Sequence, residues 1–279
     1  MSSGDQQHAQ EEAHAGVTAA PSRVTITEGV VLRPAGPWTP AVHALLRHLE
    51  KVGFAAAPRV VGEGEDGHGN ETVSYIEGEF VHPRAWSDEG IVELGRLLRR
   101  LHDSVAGFVP PPDAAWQPWF TRCERPGSII GHGDLGPWNI VARAGLPVGI
   151  IDWEFAGPVD PLDEVAQAAW LNCQLHDDDV AARNRLPTPE ARARQLALFS
   201  SAYGLSRPAR TGLVTRMVEH AIRDAAHEAI DAGVSPGGGD AGAIWAIAWR
   251  TRSAAWMVRH RRLLESALLE GPPADQPAR

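Results

Sequence analysis

The spacing of apolar residues changes near position 87 and divides the chain into two differently patterned parts. Ahead of that point the runs are short. Arg23–Thr27 and Val30–Arg33 are β-like and separated by Glu28–Gly29, which predicts a hairpin. Val42, Leu45, Leu46 and Leu49 recur at helical spacing behind Thr39–Pro40, a cap followed by a proline in the first turn. They predict a helix to about Lys51. After Gly53 the chain is extended over 58–62 and 72–76, with a polar, glycine-rich loop between, so the order is β-β-α-β-β. From Ser87 onward the period is helical. Ile91, Leu94, Leu98 and Leu101 form one stripe, capped by Ser87 and continuing to about Ser104. Val109–Asp113 reads as a loop and Trp116–Phe120 as a short aromatic element. Residues 162–175, 188–204, 209–232 and 242–269 read as helices, with Gly237–Asp240 breaking the last two. Trp245, Trp249 and Trp256 of the final helix are expected to pack between helices. Residues 1–15 and 271–279 are expected to be disordered tails.

This pattern predicts an α+β fold of two lobes, a small antiparallel sheet with one helix over 16–80 and a mainly helical lobe over 81–270. With 279 residues and 43% hydrophobic content, the chain can bury a substantial core. A formal charge of -9 supplies no basic surface for a phosphate backbone, so nucleic acid is not an expected partner. Two cysteines, Cys123 and Cys173, make neither a disulfide framework nor a metal cluster and fit a reducing cytoplasm. The amino-terminal residues contain no apolar run resembling a signal peptide, and the apolar stretch AGAIWAIAW stops at Arg250, so neither secretion nor membrane insertion is expected. Asp177–Asp179 could attract a cationic ligand, although acidic runs ordinarily are solvated loops or helix starts.

The chemistry concentrates in GHGDLGPWNIVARAGLPVGIIDWE, residues 131–154. His132, Asp134 and Asn139 have the spacing H-x-D-x-x-x-x-N of a kinase catalytic loop. Ile140–Arg143, a turn at Ala144–Gly145 and Pro147–Ile151 predict a hairpin that returns Asp152 to the same open end as Asn139. One carboxylate and one amide oxygen beside a nucleotide suffice for Mg2+, which keeps phosphate and water in its coordination shell.

With these residues the chain resembles the aminoglycoside phosphotransferase and choline kinase superfamily, whose fold is protein-kinase-like. The resemblance extends to Val30–Pro40, Ala57–Val60, Tyr75–Gly78 and Leu94–His102. It implies that Asp134 is the base receiving the substrate hydroxyl proton, that His132 supports its loop, and that Asn139 and Asp152 hold magnesium on ATP or GTP. It further implies that Ser74, Tyr75 and Ile76 belong to a hinge whose backbone binds adenine or guanine. The phosphate lysine expected by the resemblance is absent, since Lys51, the only lysine, ends a helix. Arg33 is the cation at the matching place, either as a phosphate ligand or as a solvated strand-end arginine. Val42 and His43 stand where relatives place the glutamate that pairs with that lysine, so the ion pair is expected to be missing. Gly16–Ser22 holds one glycine where a phosphate loop has several. In Asp160–Ala166 a family acid that buttresses the catalytic loop aligns with Glu164, although acids in a first helical turn are favourable on their own.

The expected protein is a small-molecule kinase acting on an amino or sugar alcohol or an aminoglycoside-like acceptor, as monomer or homodimer. The alternative is a kinase-like binding or immunity protein that sequesters a small toxin or antibiotic.

Overall fold

The computed structural model describes residues 24–270; both predicted tails, the Gly16–Ser22 segment and Arg23 lie outside the described residues. Strands β1 (Thr25–Thr27) and β2 (Val30–Pro34) are joined by Glu28 and Gly29, both at positive φ, as a tight hairpin requires. Helix α1 (Thr39–Lys51) follows, then β3 (Val60–Glu65) and β4 (Asn70–Ser74). The four strands make one antiparallel sheet in the order β1-β2-β4-β3. β3 and β4 reach further toward their connecting loop than the apolar pattern indicates. The Asp66 carboxylate accepts from the backbone of His68 and Asn70 and from the Asn70 side chain, closing that loop tightly enough for the ladder to continue. Thr39 is not the cap of α1. Trp38 holds that position, and the Thr39 hydroxyl accepts from Gly36 N in the preceding turn at 2.9 Å.

Helix α2 (Asp88–Val105) is capped by Ser87, whose hydroxyl accepts from Gly90 N at 3.0 Å. The aromatic stretch 116–120 forms no regular element. Two small antiparallel pairs follow, neither wide enough to be a layer of its own. β5 (Ile129–Gly131) pairs with β8 (Gly157–Val159), and between them β6 (Ile140–Arg143) pairs with β7 (Leu146–Ile150). The chain ends in α3 (Pro161–Asn172), α4 (Asp178–Asn184), α5 (Pro189–Tyr203), α6 (Arg207–Asp231), α7 (Ala241–Arg259) and α8 (Arg261–Glu270).

The single helix predicted over 242–269 is two, divided at His260, whose ring stacks on Trp256 and engages the Trp256 carbonyl at 3.0 Å. The acidic run opens α4, which the apolar pattern did not reveal because the helix has no buried face. Its charges are consumed locally: Asp177 pairs with Arg252 and Arg259, Asp179 with Arg252, and Asp178 accepts from Trp256 Nε1. Of the three tryptophans, Trp256 is fully buried and Trp249 packs at the core margin, while Trp245 lies beneath the guanidinium groups of Arg183 and Arg252. One apolar core runs from Val42 and Leu46 of α1 through Leu98, Ile150 and Trp170 to Leu268 of α8, so the catalytic segment is braced from both sides. Among the described residues no helix is long and apolar enough to cross a membrane.

His176 and His220 are among the buried histidines of the described residues. Burial pushes both His176 and His220 down to about 3, and neither ring nitrogen of His220 meets a hydrogen-bond partner among the described residues. A histidine depressed in the fold takes up its proton more readily when unfolded. Stability should therefore be fully present above about pH 6.5 and decline as pH falls from there toward about 3. Melting temperatures recorded down that range are expected to fall steadily, and His220→Leu should flatten the decline. An unchanged slope in that variant would contradict the assignment.

Candidate active site

The catalytic loop leaves β5 at Gly131 and is held by a buried carboxylate. Glu164, in the first turn of α3, accepts from Gly133 N at 2.7 Å with one oxygen and contacts His102 Nε2 at 2.8 Å with the other. His102 in turn meets the Tyr203 hydroxyl at 2.8 Å. Burial alone would raise the Glu164 carboxyl, but the His102 and Gly133 hydrogen bonds hold it below its ordinary range. The same helix reaches the loop twice more, since Gln167 accepts from Leu135 N and Asn172 donates to Leu135 O. Asp160 caps α3 through Leu162 N, so capping and buttressing fall to different acids. Gly133 sits at φ 84°, and a Cβ there would come within 2.2 Å of Phe155 O, so the loop can only turn at a glycine.

His132 is buried and points away from any reacting position. Its Nε2 engages Ile151 O at 2.9 Å, its Nδ1 accepts from Asp134 N at 3.2 Å, and its ring stands edge-on to Trp153. Burial lowers its pKa and keeps it neutral, matching that donor and acceptor arrangement. It positions the loop on which Asp134 sits.

Asp134 accepts from Asn139 Nδ2 at 2.9 Å and from Trp138 Nε1 at 3.4 Å. Burial, and then the Asp152 carboxylate, push its carboxyl up to about 7. The β6–β7 hairpin turns at Ala144 and Gly145, both at positive φ, and Ile151 N donates to Asn139 O at 3.0 Å, so Asn139 and Asp152 are brought to one end. Asp152 itself is left-handed at φ 64°, a conformation aspartate tolerates better than most residues. Because Asn139 spends its amide hydrogens on Asp134, its Oδ1 is the donor atom left for a cation, and Asp152 adds carboxylate oxygen. These are hard ligands suited to Mg2+ accompanied by phosphate. Among the described residues no group of three or more His, Cys, Asp or Glu forms a ready metal cage.

Arg33 is not a solvated strand-end residue: it pairs with both Glu71 of β4 and Asp152. The ion pair expected to be missing therefore exists with a different partner, because Glu71 lies directly across the ladder from Arg33. In the hinge segment, Ser74 N and Tyr75 N donate to Arg59 O and Gly29 O, so both amides are committed to the protein. A base read there would meet the carbonyls or the chain from Ile76 onward.

The apolar pattern and motif spacing did not reveal the opposite wall. Trp119 Nε1 donates to Gly133 O at 2.9 Å, and its ring stacks on Phe155 with centroids 3.9 Å apart and meets His227 edge-on. Asp224 of α6 and Arg250 of α7, paired at 2.8 Å, both act electrostatically on Asp134, the first raising and the second lowering its pKa. The only hint in the sequence was the aromatic cluster at 116–120. Asp224 and Arg250 are separated from it by a hundred or more positions and carry no motif.

A four-stranded sheet with one helix, leading into a helical lobe through a catalytic loop and hairpin, is the protein-kinase-like architecture of aminoglycoside and choline phosphotransferases. The profile described as "Phosphotransferase enzyme family" matches residues 111–196. The chain belongs to this family, and it is 55% identical to the trifolitoxin immunity protein of Rhizobium leguminosarum bv. trifolii over 249 residues, 88% of this chain and 95% of the relative. The fold is shared with a microcompartment-associated aminopropanol kinase at 13% identity and TM-score 0.58, covering 91% of this chain and 97% of the other. It is shared also with an amicoumacin kinase at 14% identity and TM-score 0.56, covering 97% and 96%.

Removing one partner of a buried, hydrogen-bonded charge leaves the others unsatisfied. Glu164→Ala should thus lower stability by about 3 kcal/mol in urea denaturation. A loss under about 0.5 kcal/mol, the level of ordinary surface substitutions, would show that the loop is held by something else.

Proposed function

We propose that the protein transfers the γ-phosphoryl group of ATP or GTP to a hydroxyl of a small molecule, an amino or sugar alcohol or an aminoglycoside-like compound. The observation that carries this reading is Asp134, fixed by Asn139 on a clamped loop and facing Asp152 across the hairpin's open end. In the transfer the acceptor oxygen bonds to the γ-phosphorus, the bond from that phosphorus to the β–γ bridging oxygen breaks, and a nucleoside diphosphate leaves. Asp134 aims the hydroxyl and takes its proton, while Asn139 fixes the carboxylate's direction. Positioning and charge neutralisation suffice for a loose phosphoryl-transfer transition state. Bound magnesium, held through Asn139 and Asp152, supplies neutralisation of phosphate charge. Arg33 adds a further cation beside them. On this reading residues 16–80 hold the nucleotide and residues 81–270 carry the catalytic loop and the acceptor, which lies near Trp119, Phe155, Asp224 and Arg250. The setting is the cytoplasm, where nucleotide is available.

The name of the trifolitoxin immunity protein adds a purpose: a toxin altered at a hydroxyl would no longer act, and phosphorylation would itself be the immunity. The same name motivates a second reading, in which the toxin is only sequestered. A transfer screen with Mg2+ and either nucleotide separates the two. Asp134→Asn should keep nucleotide binding and lose about two to four orders of magnitude in kcat. Protection of cells by Asp134→Asn equal to that of the wild type would instead support sequestration and sink the transfer reading.

A further inference from the structure

We propose that Arg33 grips the nucleotide's phosphates and that Glu71 and His43 are positioning residues that aim it, the strand beside Arg33 supplying the carboxylate that the helix lacks. This rests on the phosphotransferase reading above and adds to it how the site is built without a lysine.

The antiparallel register of β2 and β4 sets Arg33 directly opposite Glu71, so their side chains emerge on the same face within reach of each other. Glu71 is only 3% exposed, and a buried carboxylate needs its oxygens satisfied. One oxygen takes Arg33 Nε and the other meets His43 Nε2 at 3.1 Å, so both are assigned. His43 comes from the buried face of α1. Its ring fits because β3 has Gly64 there, at φ 96°, where a Cβ would stand 2.7 Å from His43 Nδ1. Two elements, β2 and α1, thus converge on one carboxylate of β4, and β3 leaves room for the imidazole.

The consequence is directional. Glu71 anchors the guanidinium at its Nε edge, and the Nη1 end extends to Asp152, the candidate magnesium ligand. The planar fork is delivered where phosphate oxygens approach the cation, and a guanidinium binds phosphate with two parallel hydrogen bonds where an ammonium acts as a point charge. A strand-end arginine kept for solubility would need neither a buried carboxylate behind it nor a histidine behind that.

The test is isothermal titration of the full chain with Mg·ATP and Mg·GTP, and with adenosine and guanosine as probes lacking phosphate. Arg33→Ala should weaken nucleotide binding by roughly tenfold to a hundredfold and Glu71→Gln by about tenfold. Nucleoside binding should be unchanged in both, and Glu71→Gln should cost nothing further in the Arg33→Ala background. Equal weakening of nucleotide and nucleoside, unchanged nucleotide binding, or full additivity with Arg33→Ala would each overturn the proposal. Should Glu71→Gln not fold, His43→Ala is read by the same comparison, with a several-fold loss expected for nucleotide alone. A wild type that binds neither nucleotide sinks the phosphotransferase reading itself; a wild type that binds nucleotide with indifferent variants sinks the roles given to Arg33, Glu71 and His43 and leaves that reading standing.

Discussion

The Glu164 carboxylate is the fixed point from which the rest of the site is measured. It is buried, and its two oxygens are divided between the amide of Gly133 and the imidazole of His102. Shifting the catalytic loop would strand a charge in the interior, at a free-energy cost that no surface contact could offset. Because His102 lies on α2 and its other nitrogen meets Tyr203 of α5, the same carboxylate also fixes how those helices meet the loop. Trp119 reads the opposite side of Gly133 through its carbonyl, so the two peptide units flanking that glycine are held from two directions.

From that loop the electrostatics of the site follow. The Asp152 carboxylate raises the cost of ionising Asp134, yet on the proposed function Asp134 must act as a base and Asp152 as a metal ligand. The protein answers with an amide on one and a guanidinium on the other: Asn139 donates to Asp134, and Arg33 pairs with Asp152. Such dipoles and charges are in place before any substrate arrives, which is the condition for electrostatic stabilisation without reorganisation during the reaction.

Much of this was legible in the sequence because it is local. The spacing from His132 to Asp152 contains its own turn, so the hairpin and the meeting of Asn139 with Asp152 followed from nearby residues alone. The amino-terminal cap of α2 and the carboxyl end of α1 were local in the same sense. What escaped depends on pairing at a distance. Glu71 fell in the polar, glycine-rich loop expected between 62 and 72, and only the β2–β4 register, which crosses an intervening helix and strand, sets it against Arg33. Glu164 could not be told from an acid favoured by a helix amino terminus until His102 and Gly133 were placed beside it. Short strands such as β5 and β8 have too few residues for an apolar rhythm, and α4 has no buried face to make one.

On the proposed function Asn139 and Asp152 form a cation site completed by nucleotide phosphate. Electron paramagnetic resonance of Mn2+, a spectroscopic substitute for Mg2+, measures this directly. The free-Mn2+ signal is expected to fall further with protein and nucleotide together than the two binary mixtures account for, and Asp152→Ala is expected to remove that additional loss. Binding of Mn2+ and nucleotide that is indifferent to Asp152 would contradict it.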